Sequence, residues 1–248
     1  MMSSLVAVVP VFNEAATVGA VVRRLREVCP VIVVDDASTD GSDVRAAAAG
    51  AACVLRSPRR AGKGAALRRG FAEALRRNAT AVATLDGDGQ HDPTDLPGLL
   101  AAARAAPEAL VVGDRLASGD GDRVPSLRRG AIRAADWLVT RLVRADVRDT
   151  QCGFRIYPAA LLRAVSLREE GFVLETEALV RGVRAGFGLV SVPIRRIYPL
   201  ERASRFRALA DGGRIAWYLA RELWREAGHR LAADGLGRRR VPAAAGES

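Results

Sequence analysis

The sequence predicts an α/β fold: a mostly parallel sheet with helices on both faces, closed by a C-terminal amphipathic helix. Two observations predict it. Short β-branched runs alternate with helix-period segments through the first half of the chain, which is the pattern of parallel strands joined by crossover helices. Those runs are apolar throughout rather than alternating, as in strands buried on both faces.

The elements follow in order. Residues 4–10 read as a strand. Residues 16–28 read as a helix, with Val18, Val21, Val22 and Leu25 on one face. Residues 31–35 are a second strand, 42–49 a short helix and 52–56 a third strand. A helix over 64–78 precedes a fourth strand, 79–86. Asp92-Pro93-Thr94 opens a helix over 94–105, and 109–114 form a fifth strand. The second half is less regular. Residues 118–124 are a Gly/Asp-rich loop and 127–143 a helix. A strand over 153–157 leads into a helix through Val165. A helix over 175–185 and a strand over 189–198 follow, then the long amphipathic pattern of 209–231. The chain reads as one domain over 1–231, with 232–248 a disordered, basic, Ala/Gly-rich tail.

Composition narrows the class. Apolar residues make up 49% of 248, enough for a substantial core. No apolar run is long enough to span a bilayer, and the N-terminus starts on a strand rather than a cleavable leader. A chain that stays in the cytoplasm is expected. Cys29, Cys53 and Cys152 are scattered, without metal-type spacing, which fits a reducing compartment. The net charge of +10 suits an anionic partner or a solvated Arg-rich surface. With few aromatics among the basic residues, no stacking platform for nucleic acid is visible. No Gly-x-Gly-x-x-Gly follows the first strand, which argues against a dinucleotide-dependent dehydrogenase. Of 38 Lys and Arg residues only Lys63 is lysine, flanked by Gly62 and Gly64, which hints at a need for a compact point charge.

In parallel sheets ligands sit beyond the carboxyl ends of strands. Asn13-Glu14, Asp35-Asp36, Asp86 to Asp88 and Asp114-Arg115 all fall there, so they should converge. The fourth strand ends in Asp86-Gly87-Asp88-Gly89-Gln90. Two carboxylates and a carboxamide offer the oxygen ligands a hard divalent cation prefers; the same pattern also makes an ordinary acidic turn. Gly87 and Gly89 remove bulk, so phosphates could approach the backbone.

Four stretches in order resemble the family 2 glycosyltransferases of GT-A fold, a Rossmann-like α/β architecture. They are Val9 to Glu14, Val33 to Gly41, Lys63 to Ala66 with Gly70, and Leu85 to Pro93. Asp149-Thr150-Gln151-Cys152-Gly153-Phe154-Arg155 points to the polyprenyl-phosphate sugar synthases within that family. The resemblance implies a nucleotide-sugar site of Pro10, Phe12, Glu14, Asp35, Asp36, Lys63, Asp86, Gly87 and Asp88, with Arg202 and Arg205 closing over the diphosphate. It implies Mg2+ or Mn2+ on Asp86, Asp88 and Gln90, with His91 left as a loop residue. It implies a lipid-phosphate acceptor met by Arg115, Arg128, Arg129, Arg133, Asp149 and Arg155, with Asp88, Arg115 and Arg129 carrying catalysis.

The reaction implied is inverting transfer of a hexose from a nucleotide-diphosphate sugar to a polyprenyl phosphate. GDP-mannose is the first donor implied and UDP-glucose the second. A family member acting on a hydroxyl acceptor stays open; it would want a carboxylate base, and Asp114 and Asp149 are available. The helix over 209–231 carries Trp217, Tyr218 and Trp224 beside arginines. It either packs on the core or meets the membrane, which would place the protein peripherally on the inner face. No nucleic-acid partner is expected.

Overall fold

The computed structural model describes residues 4–115, 117, 126–145, 147–195 and 208–237. Among the described residues seven strands form one sheet: β1 Leu5–Val11, β2 Val31–Asp35, β3 Cys53–Arg56, β4 Ala81–Thr84, β5 Ala109–Asp114, β6 Arg155–Pro158 and β7 Gly188–Pro193. Their order is β3-β2-β1-β4-β6-β5-β7. All neighbouring pairs are parallel except those made by β6, which runs antiparallel between β4 and β5. Every residue of β1, β2 and β5 is buried, as two-sided cover requires.

Among the described residues eight α-helices accompany the sheet: α1 Val18–Leu25, α2 Ser42–Ala48, α3 Lys63–Arg76, α4 Leu96–Ala105, α5 Ser126–Val143, α6 Ala159–Ala164, α7 Val173–Arg184 and α8 Ala208–Gly237. α1 buries Val18, Val21, Val22 and Leu25, the face its spacing predicts. α3 lies on β1 and β2, and Gly70 makes that approach possible. A Cβ there would sit 2.2 Å from Val8 Cγ1. α8 packs on α5 and α7 through Ile215, Tyr218 and Leu219.

Most elements fall within a few residues of expectation. β4 is shorter than the predicted 79–86 at both ends; beyond Thr84 only the Leu85 N–H still bonds β1, to Val8 O at 3.3 Å, before the turn begins. α4 is preceded by a 3-10 turn at Pro93–Asp95, whose N-cap Asp92 accepts the Thr94 N–H. α8 outruns the expected boundary at Leu231 and takes Ala232 to Gly237 from the predicted tail; Ala232 and Ala233 are strong helix formers. The expected loop at 118–124 and the rest of the tail, 238–248, lie outside the described residues. Among the described residues no helix is long and apolar enough to cross a membrane.

The antiparallel strand matters most for the site. Parallel strands deliver their C-termini to one edge of the sheet. An antiparallel strand delivers its N-terminus there. The loop from Asp149 to Phe154, which enters β6, therefore meets the carboxyl ends of β4 and β5.

Candidate active site

The loop after β1 is built against the loop after β2. Asn13, at φ +51°, donates its N–H to Ser38 Oγ (2.8 Å) and accepts the Thr39 N–H at Oδ1 (2.8 Å). The Glu14 N–H goes to Ser42 Oγ at 2.7 Å, and that of Ala15 to Asp40 Oδ2 at 2.9 Å. Asp35 is wholly buried; it accepts the Ser38 N–H and faces Arg56 at 3.6 Å. Asp36 receives the N–H groups of Ala61 and Gly62, each at 2.7 Å, one on each oxygen. It thereby fixes the turn that launches α3 and its first residue, Lys63. The Arg60 guanidinium lies over the Phe12 ring, 4.1 Å from its centroid.

Lys63 joins two acidic groups. Its Nζ is 2.7 Å from Asp86 Oδ1 and 3.1 Å from Glu175 Oε1, and lies 5.0 Å from the Phe172 ring centroid. Burial works against the ammonium, but Asp86 and then Glu175 outweigh it and raise its pKa above the ordinary lysine value. The two carboxylates respond differently. For Asp86 burial is overcome, chiefly by Lys63, and the group stays below the usual range. For Glu175 burial prevails over Lys63 and pushes the group up. Lys63 thus holds an ionised Asp86 at the end of β4. Gly153 gives that carboxylate room: a Cβ there would lie 2.7 Å from Asp86 Oδ2 and 3.0 Å from Lys63 Nζ.

The third cluster ties β5 to the loop entering β6. Arg115 donates to Asp149 through Nε (2.6 Å) and Nη2 (2.5 Å), and its backbone N–H adds a third bond at 3.1 Å. Burial opposes both charges, yet each holds the other: Asp149 falls below the usual carboxylate range and Arg115 rises. Asp149 sits at φ +49° and its N–H goes to Asp136 Oδ2 on α5 at 3.0 Å. The Thr150 N–H meets the other Asp136 oxygen at 2.8 Å. Burial raises the Asp136 pKa, with these two N–H groups opposing.

Several predicted residues take other places. Arg155 is wholly buried, and Nε, Nη1 and Nη2 donate to the carbonyls of Cys152, Glu175 and Thr150 at 2.7, 2.6 and 2.5 Å. It braces the loop rather than reaching an acceptor. Asp35 likewise builds its own turn, and Pro10 is buried in β1. Gly87 serves packing first, since a Cβ there would meet Val11 Cγ1 at 2.5 Å. Thr17 Oγ1 donates to its carbonyl at 2.7 Å. His91 is buried, and burial drives its pKa down to about 3. It is a neutral ring beside Phe154, with Nδ1 unpartnered among the described residues, as the loop reading expects. Arg128, Arg129 and Arg133 lie on α5 and Arg133 is exposed; the side chains of Arg128 and Arg129 are outside the described residues. Arg202 and Arg205 are outside them altogether. Glu175 and Asp136 escaped the sequence reading, because nothing local marks them; Gly153 was read within the Asp149-to-Arg155 motif, but not its approach to Asp86 and Lys63.

A divalent cation fits the donor set. Asp86 and Asp88 stand two residues apart at the strand end, both partly exposed, and the Gln90 N–H turns back to Asp88 Oδ1 at 3.0 Å. Among the described residues no group of three or more His, Cys, Asp or Glu is preassembled around a metal. Such a site suits an ion that takes one or two carboxylates and fills its shell with phosphate oxygens and water, as Mg2+ does. The three cysteines are free, and burial pushes Cys29 up to about 11 and Cys152 to about 12, so neither is a ready thiolate.

This topology, with carboxylates and cations gathered at the carboxyl edge of the sheet, defines a GT-A-type α/β glycosyltransferase. The chain belongs to glycosyl transferase family 2, whose model matches residues 6–171. It is 34% identical over 199 residues to an undecaprenyl-phosphate mannosyltransferase of Micrococcus luteus, covering 75% of this chain and 81% of that protein. It is 30% identical over 199 residues to a polyprenol monophosphomannose synthase of Mycolicibacterium smegmatis, covering 75% of each. Among solved structures, glucosyl-3-phosphoglycerate synthase from Mycobacterium tuberculosis, in complex with Mn2+, UDP and phosphoglyceric acid, shares the fold. Its TM-score is 0.70 at 20% identity, over 89% of this chain and 78% of that one. Mannosyl-3-phosphoglycerate synthase from Rubrobacter xylanophilus gives 0.67 at 21% identity, over 98% and 78%.

Proposed function

We propose that this enzyme transfers a hexose, mannose first, from a nucleotide-diphosphate sugar to a polyprenyl phosphate, with inversion at the anomeric carbon. The observation that carries the reading is its likeness, at 34% and 30% identity, to proteins named for transfer to undecaprenyl phosphate and for polyprenol monophosphomannose synthesis. GDP-mannose is the first donor and UDP-glucose the second.

Glu14 and Asp36 would border the nucleoside and Lys63 and the Asp86–Asp88 turn the diphosphate, with Arg202 and Arg205 assigned to the diphosphate by the family resemblance alone. Asp86, Asp88 and Gln90 would hold Mg2+ or Mn2+; the fold neighbour with Mn2+ and UDP supports a divalent ion. The chemistry a bound cation supplies there is neutralisation of charge on the departing diphosphate. Arg115 would meet the acceptor phosphate, and the family resemblance adds Arg128, Arg129 and Arg133 of α5 to that role. A phosphate oxygen attacks the anomeric carbon as the bond to the diphosphate breaks, and the nucleoside diphosphate leaves. A phosphate monoester is already ionised near neutral pH, with a second pKa of about 6, so no base is required. Positioning and charge carry the rate. Asp149 supports this acceptor over a hydroxyl, because it is committed to Arg115 and held ionised below the usual range, which makes it a poor proton acceptor.

The test is radiolabelled donor with a lipid extract. The expected product partitions into organic solvent and is cleaved by mild acid; a water-soluble product alone would refute the lipid acceptor. Asp88→Ala should abolish transfer and cation-dependent nucleotide binding, and unchanged turnover would sink the metal assignment. A thermal-shift screen of GDP, UDP and dTDP sugars with Mn2+ identifies the donor, since a ligand of the native state raises apparent stability.

A further inference from the structure

One buried carboxylate has no part in the reading above. Glu175, in the first turn of α7, is 1% exposed. Among the described residues its Oε2 has no hydrogen-bond partner, and its ion pair is with Lys63 Nζ, 3.1 Å from Oε1. Its neighbours on α7, Val173, Leu174, Ala178 and Leu179, are buried apolar residues. Its backbone carbonyl, not its side chain, takes the Arg155 Nη1 donor at 2.6 Å. A carboxylate buried with a free oxygen costs stability, so packing does not explain the charge.

Lys63 explains it. The ammonium sits between Asp86 at 2.7 Å and Glu175 at 3.1 Å. The two carboxylates differ in access: the Asp86 side chain keeps 26% exposure and that of Glu175 1%. Asp86 is also among the oxygen donors offered to a divalent cation. Lone pairs turned to a cation are withdrawn from Lys63. Were Asp86 the sole counter-ion, cation binding would strand a buried ammonium, which is strongly unfavourable. Glu175 removes that conflict, because it stays on Lys63 from the closed side while Asp86 turns to the open one. Burial pushes Glu175 up, Lys63 and then Arg155 pull it down, and Asp86 opposes them; Tyr157 is the other ionisable group against it. Its depth keeps it from any acceptor, so it positions rather than reacts.

We propose that Glu175 is a positioning residue, the standing counter-ion of Lys63, which frees Asp86 for a divalent cation and holds the ammonium where a diphosphate meets it. The proposal rests on the nucleotide-sugar reading above and deepens it. The charge acts with opposite signs on the two ligands. It favours a cation and disfavours a free diphosphate. Without it, Lys63 holds Asp86 more tightly against the cation and meets the diphosphate as a less neutralised charge. A residue that only braced the fold would weaken both ligands together when changed.

Glu175→Gln removes the charge and keeps the shape. Mn2+ binding to the full chain is read from the electron paramagnetic resonance signal of free Mn2+. Binding of GDP and of UDP, each in EDTA, is read by calorimetry, and thermal unfolding is recorded for every variant. Glu175→Gln should weaken Mn2+ about tenfold and tighten metal-free nucleoside diphosphate about threefold, with Tm unchanged or raised. Glu175→Asp keeps the charge and should hold the ratio of the two affinities within about twofold of wild type; it decides the matter if the Gln variant does not fold. Both affinities falling together, or neither moving, would overturn the proposal, as would a Glu175→Asp ratio shifted about tenfold. A wild type that takes up Mn2+ but neither GDP nor UDP would sink the donor reading instead. The Mn2+ affinity of Glu175→Gln, compared with its Tm, would then still decide the role of Glu175.

Discussion

Asp149→Asn isolates the buried ion pair that ties the end of β5 to the loop entering β6, on the proposed acceptor side of the site. Asn tolerates the positive φ of this position, so the backbone is not strained, and its shape matches Asp. What is lost is charge. Arg115 is left buried, at 7% exposure, without the carboxylate that now takes its Nε and Nη2 donors at 2.6 and 2.5 Å. Removing one partner of a buried pair costs ~3–5 kcal/mol. Asn keeps one acceptor oxygen, which places the loss near the lower end, about 3 kcal/mol. For a chain of this size that corresponds to a Tm lower by roughly 6–12 °C. Asp149→Ala should fall further, by about 1 kcal/mol more, because Ala has no liking for the left-handed region.

Thermal and urea unfolding at neutral pH measure the loss, and acid titration supplies a second check. The folded pKa of Asp149 lies below its unfolded value of about 3.9. Stability from the pair is therefore fully present above the unfolded pKa and is lost as pH falls through the folded one. The gap between wild type and Asp149→Asn should stay constant from pH 7 to about 5 and shrink below about 4. A loss under about 1 kcal/mol, or a gap that widens in acid, would refute the buried pair.

Three further substitutions test other contacts. Lys63→Arg keeps the charge but brings a planar fork beside Gly153; nucleoside diphosphate affinity should fall about tenfold, ~1.4 kcal/mol, and titration calorimetry with full affinity would remove the case for a point charge. Gly153→Ala drives a methyl to 2.7 Å from Asp86 Oδ2; it should weaken Mn2+-dependent nucleotide binding while costing only ~1–3 kcal/mol of stability, and wild-type binding would contradict the crowding. Gly70→Ala places a methyl 2.2 Å from Val8 Cγ1. It should lower Tm by an overpacking cost of ~1–3 kcal/mol and leave nucleotide affinity alone, so a lost affinity with an unchanged Tm would argue against it.

The sheet was readable where burial is two-sided. β2 and β5 have the predicted boundaries because an interior parallel strand is a continuous β-branched run between polar ends. The convergence of Glu14, Asp36, Asp86 and Arg115 on one edge follows from the same topology. The direction of β6 was not readable, because four residues, Arg155–Pro158, run equally well either way until their neighbours are known. Gly153, Glu175 and Asp136 depend on that insertion. Each acts through a residue distant in sequence, and no local spacing encodes the meeting. Asp36 shows a subtler limit. Its place at a strand end was legible, but its work in fixing Ala61 and Gly62 was not, since backbone donors carry no sequence signature.

The buried cations explain which of them an incoming phosphate can meet. Arg155 is satisfied by three neutral carbonyls. Drawing it toward an anion would strand those carbonyls, at ~1–3 kcal/mol apiece, and would release the loop they brace. Lys63 is held by two carboxylates, one pushed up by burial and one partly exposed at the strand end. On the proposed reading, a diphosphate arriving there would exchange one anion for another around the ammonium, so no buried acceptor would be abandoned. Arg115 lies between these cases. Its carboxylate is wholly buried and bound twice, so a phosphate must be added to the pair rather than substituted into it. Lys63 is therefore suited to a ligand that comes and goes, Arg115 to a fixed field at the proposed acceptor side, and Arg155 to bracing the loop.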